Sequence, residues 1–129
     1  MVGMVLISHS KQVAEGTADL VRQMAGEVAV AAVGGDAHGG TGTDPDAIRE
    51  AVENLGAREV LIFMDLGSAV MSAETVIEML DDDLRSRVHL VDAPFVEGAF
   101  SAGVVASGGA SAGECLEAAE EARTVSKLH

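Results

Sequence analysis

The sequence predicts an α/β fold: a doubly wound three-layer sandwich with helices on both faces of a central, mainly parallel four-stranded sheet. Three observations predict it. Four short apolar runs, at residues 2–7, 28–33, 60–64 and 88–91, are continuous rather than alternating, as strands covered on both faces are. The segments between them carry helical periodicity. Runs and helical segments also alternate along the whole chain, and right-handed crossovers turn such a β-α string into a parallel sheet. The common order for four strands is 2-1-3-4, which opens a crevice between the carboxyl ends of strands 1 and 3.

The first run ends in Ser8-His9-Ser10. Beyond it Val13, Ala14, Ala18, Val21 and Met24 recur at spacings near 3.6, with Lys11, Glu15, Asp19 and Arg22 on other faces, so residues 13–24 read as the first helix. The second run passes into a glycine- and hydroxyl-rich loop, from Gly34-Gly35 to Gly39-Gly40-Thr41-Gly42-Thr43. Pro45 at the first helical position, behind Asp44 as cap, opens a second helix that runs through Leu55 and closes at Gly56. The third run ends in Met64-Asp65-Leu66-Gly67-Ser68. Ser68 or Ser72 is the expected cap of a third helix carrying Val76, Ile77, Met79 and Leu80 and ending at Asp81-Asp82-Asp83. From Gly98 the chain reads as small-residue helix, interrupted at Gly108-Gly109 and resumed over residues 112–127. Met64, Met71 and Met79 read as core filling.

With 129 residues the chain has the length for one core, so a single domain over 1–129 is the expectation. Its 21 Asp and Glu against 8 Lys and Arg, a formal charge of -13, argue against nucleic acid and anionic membrane as partners, since both require basic patches. Base stacking is disfavoured by the absence of Trp and Tyr. A hydrophobic content of 48% excludes a disordered acidic tail. The apolar stretch at the N-terminus is too short for a signal sequence, and no stretch approaches the roughly 20 apolar residues of a membrane span, so a cytoplasmic location is expected. Only Lys11 and Lys127 are lysines, which beside so many acids suggests a halophile. The lone Cys115 excludes an internal disulfide and reads as a small buried residue.

Two residues converge at the predicted crevice. His9 ends strand 1 and Asp65 ends strand 3, and neighbouring strands lie about 4.8 Å apart. An aspartate accepting from one ring nitrogen fixes the tautomer and leaves the other as a nucleophilic lone pair. Glycine turns and helix starts nearby favour a tetrahedral oxyanion such as phosphoryl. Plainer readings stand beside this one: a histidine between serines serves as a turn or cap residue, and an aspartate there satisfies loop amides. The glycine loop lacks the Gly-Lys-Ser/Thr ending of a P-loop. His38 reads as an exposed loop residue, His89 as a core or edge residue of strand 4, and His129 is the last residue. With no second carboxylate at ligand spacing, no metal site is expected. Two rival functions remain: a hydrolase with Ser8, Ser10 or Ser68 as nucleophile, His9 as base and Asp65 as its orienter, and a flavodoxin-like signalling module with Asp65 as phosphoacceptor. The signalling module would require acidic residues after strand 1, where Ser8-His9-Ser10 stands.

Four blocks in register carry a resemblance: Val-Leu-Ile-Ser-His-Ser at 5–10, Gly-Thr-Asp at 42–44, Met-Asp-Leu-Gly-Ser-Ala at 64–69 with Ser-Ala-Glu-Thr at 72–75, and Ala-Pro-Phe-Val-Glu-Gly at 93–98. From the N-terminus to about Ala102 the chain resembles the DhaM family, the phosphotransferase subunits of phosphoenolpyruvate-dependent dihydroxyacetone kinases, whose domain has the mannose-type IIA fold. The resemblance implies that His9 carries phosphoryl from HPr to ADP held on the DhaL subunit, for use on dihydroxyacetone bound by DhaK. It implies that Asp65 orients His9 and that the chain itself holds no cofactor; the sequence does not fix which ring nitrogen is phosphorylated, and the family pattern favours Nε2 with Nδ1 facing Asp65. Gly42, Thr43, Gly67 and Ser68 are the candidate contacts to the phosphoryl oxygens. Many family members fuse this domain to HPr-like and Enzyme I-like modules; here the expected donor is a separate HPr. A homodimer is the family expectation, although the terminal edge strand that mannose-type domains use for it reads here as helix. The acids are expected on the helices, with a small, glycine-rich and uncharged rim beside His9.

Overall fold

A computed structural model describes residues 1–128; His129 lies outside the described residues. Strands β1 (Val2–Ser8), β2 (Val30–Gly34), β3 (Glu59–Met64) and β4 (Val88–Leu90) form one sheet in the order β2-β1-β3-β4, every pair parallel. Helices α1 (Lys11–Met24), α2 (Pro45–Asn54), α3 (Gly67–Met79), α4 (Asp82–Arg85), α5 (Phe95–Ser107) and α6 (Ala112–Glu121) surround it, followed by a 3₁₀ turn, Ala122–Thr124. The predicted α/β sandwich and its strand order are both borne out.

Alternation along the central strands builds two cores. Met4 and Leu6 of β1 and Leu61 and Phe63 of β3 point to one face, where Ala18 and Val21 of α1, Ala99 and Ala102 of α5 and Cys115 and Ala119 of α6 cover them. Val5, Ile7, Val60 and Ile62 point to the other, under Ile48 and Val52 of α2 and Ala73 and Val76 of α3. All seven residues of β1 are buried, which explains why that run is unbroken by polar residues until Ser8. The first face needs small side chains because three helices share it. A Cβ on Gly103 of α5 would stand 2.7 Å from Val21 Cγ1 of α1, so the missing side chain is what lets the two helices approach.

Several boundaries differ from the sequence expectations. α3 begins at Gly67 with Leu66 in the cap position and no side-chain cap, because the Ser68 hydroxyl is engaged by His9 and Ser72 by Thr43. α5 begins at Phe95, three residues ahead of Gly98, behind Pro94. The acidic run hides a helix of its own: Asp81 accepts from the Leu84 amide and caps α4. The last helix ends at Glu121 rather than 127, and Lys127 reaches back to Glu97 at 2.5 Å. Met71 and Met79 are exposed, not core, while Met64 packs against the α2/α3 core. Cys115 is buried, and burial pushes its thiol pKa up.

One close approach positions the site. A Cβ on Gly34, at the end of β2, would lie 2.5 Å from both Lys11 Cα and Ser10 O, within the turn that follows His9. Gly34→Ala should therefore destabilise the protein by about 1–3 kcal/mol in urea unfolding. Gly16→Ala, on the exposed side of α1 with nothing within 4 Å of the new methyl, should stabilise it by about 0.4–1 kcal/mol.

Candidate functional site

The site is assembled where β1, β2 and β3 end. Pairing continues one step past β3, with Asp65 N–H donating to the Ile7 carbonyl at 3.2 Å, and Gly35 N–H donates to the Ser8 carbonyl at 3.3 Å. These bonds hold Ser8 and His9 between the two neighbouring strand ends. Ser10 then caps α1, its hydroxyl accepting from Val13 N–H, so the chain turns into helix directly after His9.

His9 and Asp65 meet as expected. Nδ1 of His9 lies 2.9 Å from Oδ1 of Asp65, with the two side chains 22% and 17% exposed. The carboxylate accepts from three further donors: Ser8 Oγ at 2.7 Å and His9 N–H at 3.1 Å on Oδ2, and Leu66 N–H at 2.7 Å on Oδ1. Burial alone would raise its pKa. The bonds from Ser8, His9 and the two backbone amides outweigh burial and hold the carboxyl below its usual 3.8. An ionised carboxylate only accepts, so Nδ1 carries the proton and Nε2 of the neutral ring presents its lone pair. Ser68 Oγ sits against that nitrogen and donates to it.

The remaining candidates divide. Gly67 and Ser68 form the first turn of α3, whose start carries no side-chain cap, and the Ser68 hydroxyl lies against Nε2. Gly42 N–H donates to the His9 carbonyl at 3.0 Å, in a conformation (φ 137°) that favours glycine. Gly42 thus supports the backbone of His9 from behind. Thr43 Oγ1 lies 2.7 Å from Ser72 Oγ, one helical turn beyond Ser68. His38 is exposed on the glycine loop, and His89 faces Glu59 across the β3–β4 pair at 3.4 Å. Among the described residues no three His, Cys, Asp or Glu side chains group as metal ligands, and no helix is long and apolar enough to cross a membrane.

The rim differs from expectation in size and charge. On the α3 side Leu66 and Met71 stand 63% and 68% exposed and Val70 is exposed as well, and Asp92 lines the cleft beside Asp65, so the rim is neither small nor free of charge. From sequence, the Ser8 hydroxyl reads only as a nucleophile. Fully buried against Asp65, it cannot reach a substrate, which removes Ser8 from the hydrolase reading.

A family profile, EIIA-man, described as PTS system fructose IIA component, matches residues 3–120. The chain belongs to the EIIA-man family. It is 39% identical over 106 residues to the "PEP-dependent dihydroxyacetone kinase 2, phosphoryl donor subunit DhaM" of Listeria innocua, covering 81% of this chain and 85% of that one. It is 42% identical over 128 residues to the DhaM subunit of Providencia stuartii, covering 95% of this chain and 27% of the relative. The chain thus spans about a quarter of that relative's length. A crystal structure of a protein of unknown function, EF1359, superposes with a TM-score of 0.85 at 38% identity, with 92% of each chain covered. The DhaM resemblance carried by the four blocks is borne out by these relatives.

The depressed Asp65 carboxyl gives this EIIA-man domain a testable pH signature. A carboxyl whose pKa is lowered by folding adds stability above its unfolded value, and loses that contribution as pH falls through the folded value. The stability advantage of the wild type over Asp65→Asn should shrink as pH falls below the usual carboxyl value of 3.8. Chemical denaturation of both proteins across pH 3–7 checks this; a gap that is unchanged at acid pH would mean that Asp65 is not held ionised by its partners.

Proposed function

We propose that this chain is the phosphohistidine carrier of a phosphoenolpyruvate-dependent dihydroxyacetone kinase system, accepting phosphoryl on His9 from HPr and passing it to ADP bound on a DhaL subunit. The observation that carries the reading is the His9 ring itself. Asp65 fixes its Nδ1 proton at 2.9 Å, and its Nε2 faces the uncapped start of α3.

The chemistry follows from that geometry. The Nε2 lone pair attacks phosphorus on the donor, a P–Nε2 bond forms, and the donor's P–N bond breaks with its electron pair leaving on the donor nitrogen. Positive charge then spreads over the His9 ring, whose Nδ1–H remains against Asp65. The carboxylate therefore stabilises the phosphorylated ring while leaving it labile enough to pass the group on. Transfer of this kind requires positioning and charge stabilisation rather than a strong base. Incoming phosphoryl oxygens take up the Ser68 hydroxyl and the amides of Gly67 and Ser68, in the manner of anions at helix starts. Gly42 and Thr43 contribute by holding the loop that backs His9. Exposed Leu66 and Met71 offer apolar contact to a partner protein beside the reacting atom, so docking does not depend on charge alone.

On this reading the chain binds neither the sugar nor free nucleotide; ADP resides on DhaL and dihydroxyacetone on DhaK. A homodimer is proposed from the family. A cytoplasmic location follows from the same partners.

A second reading has one specific observation in its favour. Ser68, His9 and Asp65 form a hydrogen-bonded chain in the order of a serine hydrolase triad. The two readings predict opposite fates for Ser68→Ala. In the relay it slows transfer but leaves a labile phosphate on His9; in the hydrolase it abolishes turnover of an activated ester.

Incubation with phosphoenolpyruvate, Enzyme I and HPr should add one phosphate that is acid-labile and base-stable, and His9→Ala should take none. Asp65→Asn should slow uptake by on the order of 100-fold and leave the fold intact. Phosphate retained in His9→Ala, or an acid-stable phosphoserine, would overturn the carrier reading.

A further inference from the structure

We infer that Ser8 is a positioning residue for phosphoryl transfer: its hydroxyl, aimed by the Ser10 amide, locks the Asp65 carboxylate in the rotation that presents Oδ1 to His9 Nδ1. The inference rests on the reading of His9 as the phosphoryl acceptor and adds to it a residue that never touches the reacting atoms.

Only two polar side chains are buried among the described residues, Ser8 and Thr17. Thr17 spends its hydroxyl locally, on the Val13 carbonyl one turn back in α1. Ser8 instead reaches across to a residue 57 positions away, at 2.7 Å. Its polarity is fixed. Ser10 N–H donates to Ser8 Oγ at 3.0 Å, which occupies a lone pair and leaves the hydroxyl proton to point at Asp65 Oδ2.

The carboxylate requires such a lock because the outer torsion of an aspartate is broad and roughly two-fold. Of its four donors, Leu66 N–H belongs to the adjacent residue and moves with Asp65. The Ser8 hydroxyl belongs to the last residue of β1 and the His9 amide to the residue that follows it, so both move with the end of β1. The His9 amide is the longer of the two, at 3.1 Å. Ser8 is therefore the main side-chain tie between the carboxylate and the frame that holds the ring. Other charges nearby do not substitute for it. Lys11 follows at the start of α1; Asp92, beyond β4, lines the cleft next to Asp65; Asp36 and Asp44, in the loop after β2, are committed to His38 and Gly40 amides and to the cap of α2.

The test is a tautomer measurement with a kinetic partner. Long-range ¹⁵N–¹H NMR of the unphosphorylated chain, at a pH where the ring is neutral, should show His9 as the Nδ1–H form in the wild type and as a mixture of both tautomers in Ser8→Ala. Phosphate uptake from phosphoramidate, a small donor that needs no partner protein, should slow roughly 10- to 100-fold in Ser8→Ala. Ser8→Thr, which keeps the hydroxyl, should restore both. If Ser8→Ala loses its folded spectrum, Ser8→Cys, of similar volume and with a weak donor, replaces it with the same direction of change expected. A wild-type tautomer and rate in the variant lacking the hydroxyl, or a folded Ser8→Thr as defective as Ser8→Ala, overturns the inference. Failure of the wild type to take phosphate on His9 would instead overturn the carrier reading, while the tautomer comparison still decides the role of Ser8.

Discussion

The parallel pairing of β1 with β3 extends one residue beyond the strands, through the Asp65 amide and the Ile7 carbonyl, and the chemistry at the site depends on that step. It puts a carboxylate beside a histidine 56 positions earlier in the chain. A slip of one residue would send each side chain to the opposite face. The register is held by the buried alternation of Val5 and Ile7 against Met4 and Leu6, each pair packed in a different core. Stability and site geometry are therefore the same constraint. The hydrophobic layers that make β1 a fully buried strand also fix the position of His9 at its end.

Around that pair, the sequence spends backbone rather than charge. Gly34 lets the turn after His9 press against β2, Gly42 supports the His9 carbonyl, and α3 starts without a side-chain cap. The net charge of -13 comes from acids that outnumber the cations, and the ion pairs that do form, such as Arg49 with Glu53 and Arg87 with Asp83, contribute little individually. At the start of α3, Leu66, Val70 and Met71 are exposed, across the cleft from Asp92. A strongly acidic chain thus exposes apolar side chains at the start of α3, where apolar burial retains its strength when salt screens the surface charge.

The layer order and the His9–Asp65 convergence were legible because each followed from a long-range rule: continuous apolar runs mean doubly covered strands, and the 2-1-3-4 order brings two particular strand ends together. What escaped the sequence was local competition for the same groups. A serine ahead of an apolar helix is read as a cap, yet Ser68 gives its hydroxyl to His9, leaving Leu66 in the cap position. The start of α3 is apolar on several sides, so periodicity could not tell that Met71 faces solvent. Ser8 carried a signal that was available: a polar residue ending a strand otherwise buried throughout needs a partner, and the nearest strand end offers a carboxylate.

The central claim is that Asp65 holds Nδ1 so that Nε2 does the chemistry. Coupled ³¹P and ¹⁵N NMR of the phosphorylated protein tests it most directly. The account predicts phosphorus bonded to Nε2 of His9 with Nδ1 still protonated against Asp65. Phosphorus on Nδ1, on Ser68 or on the Asp65 carboxylate would contradict it.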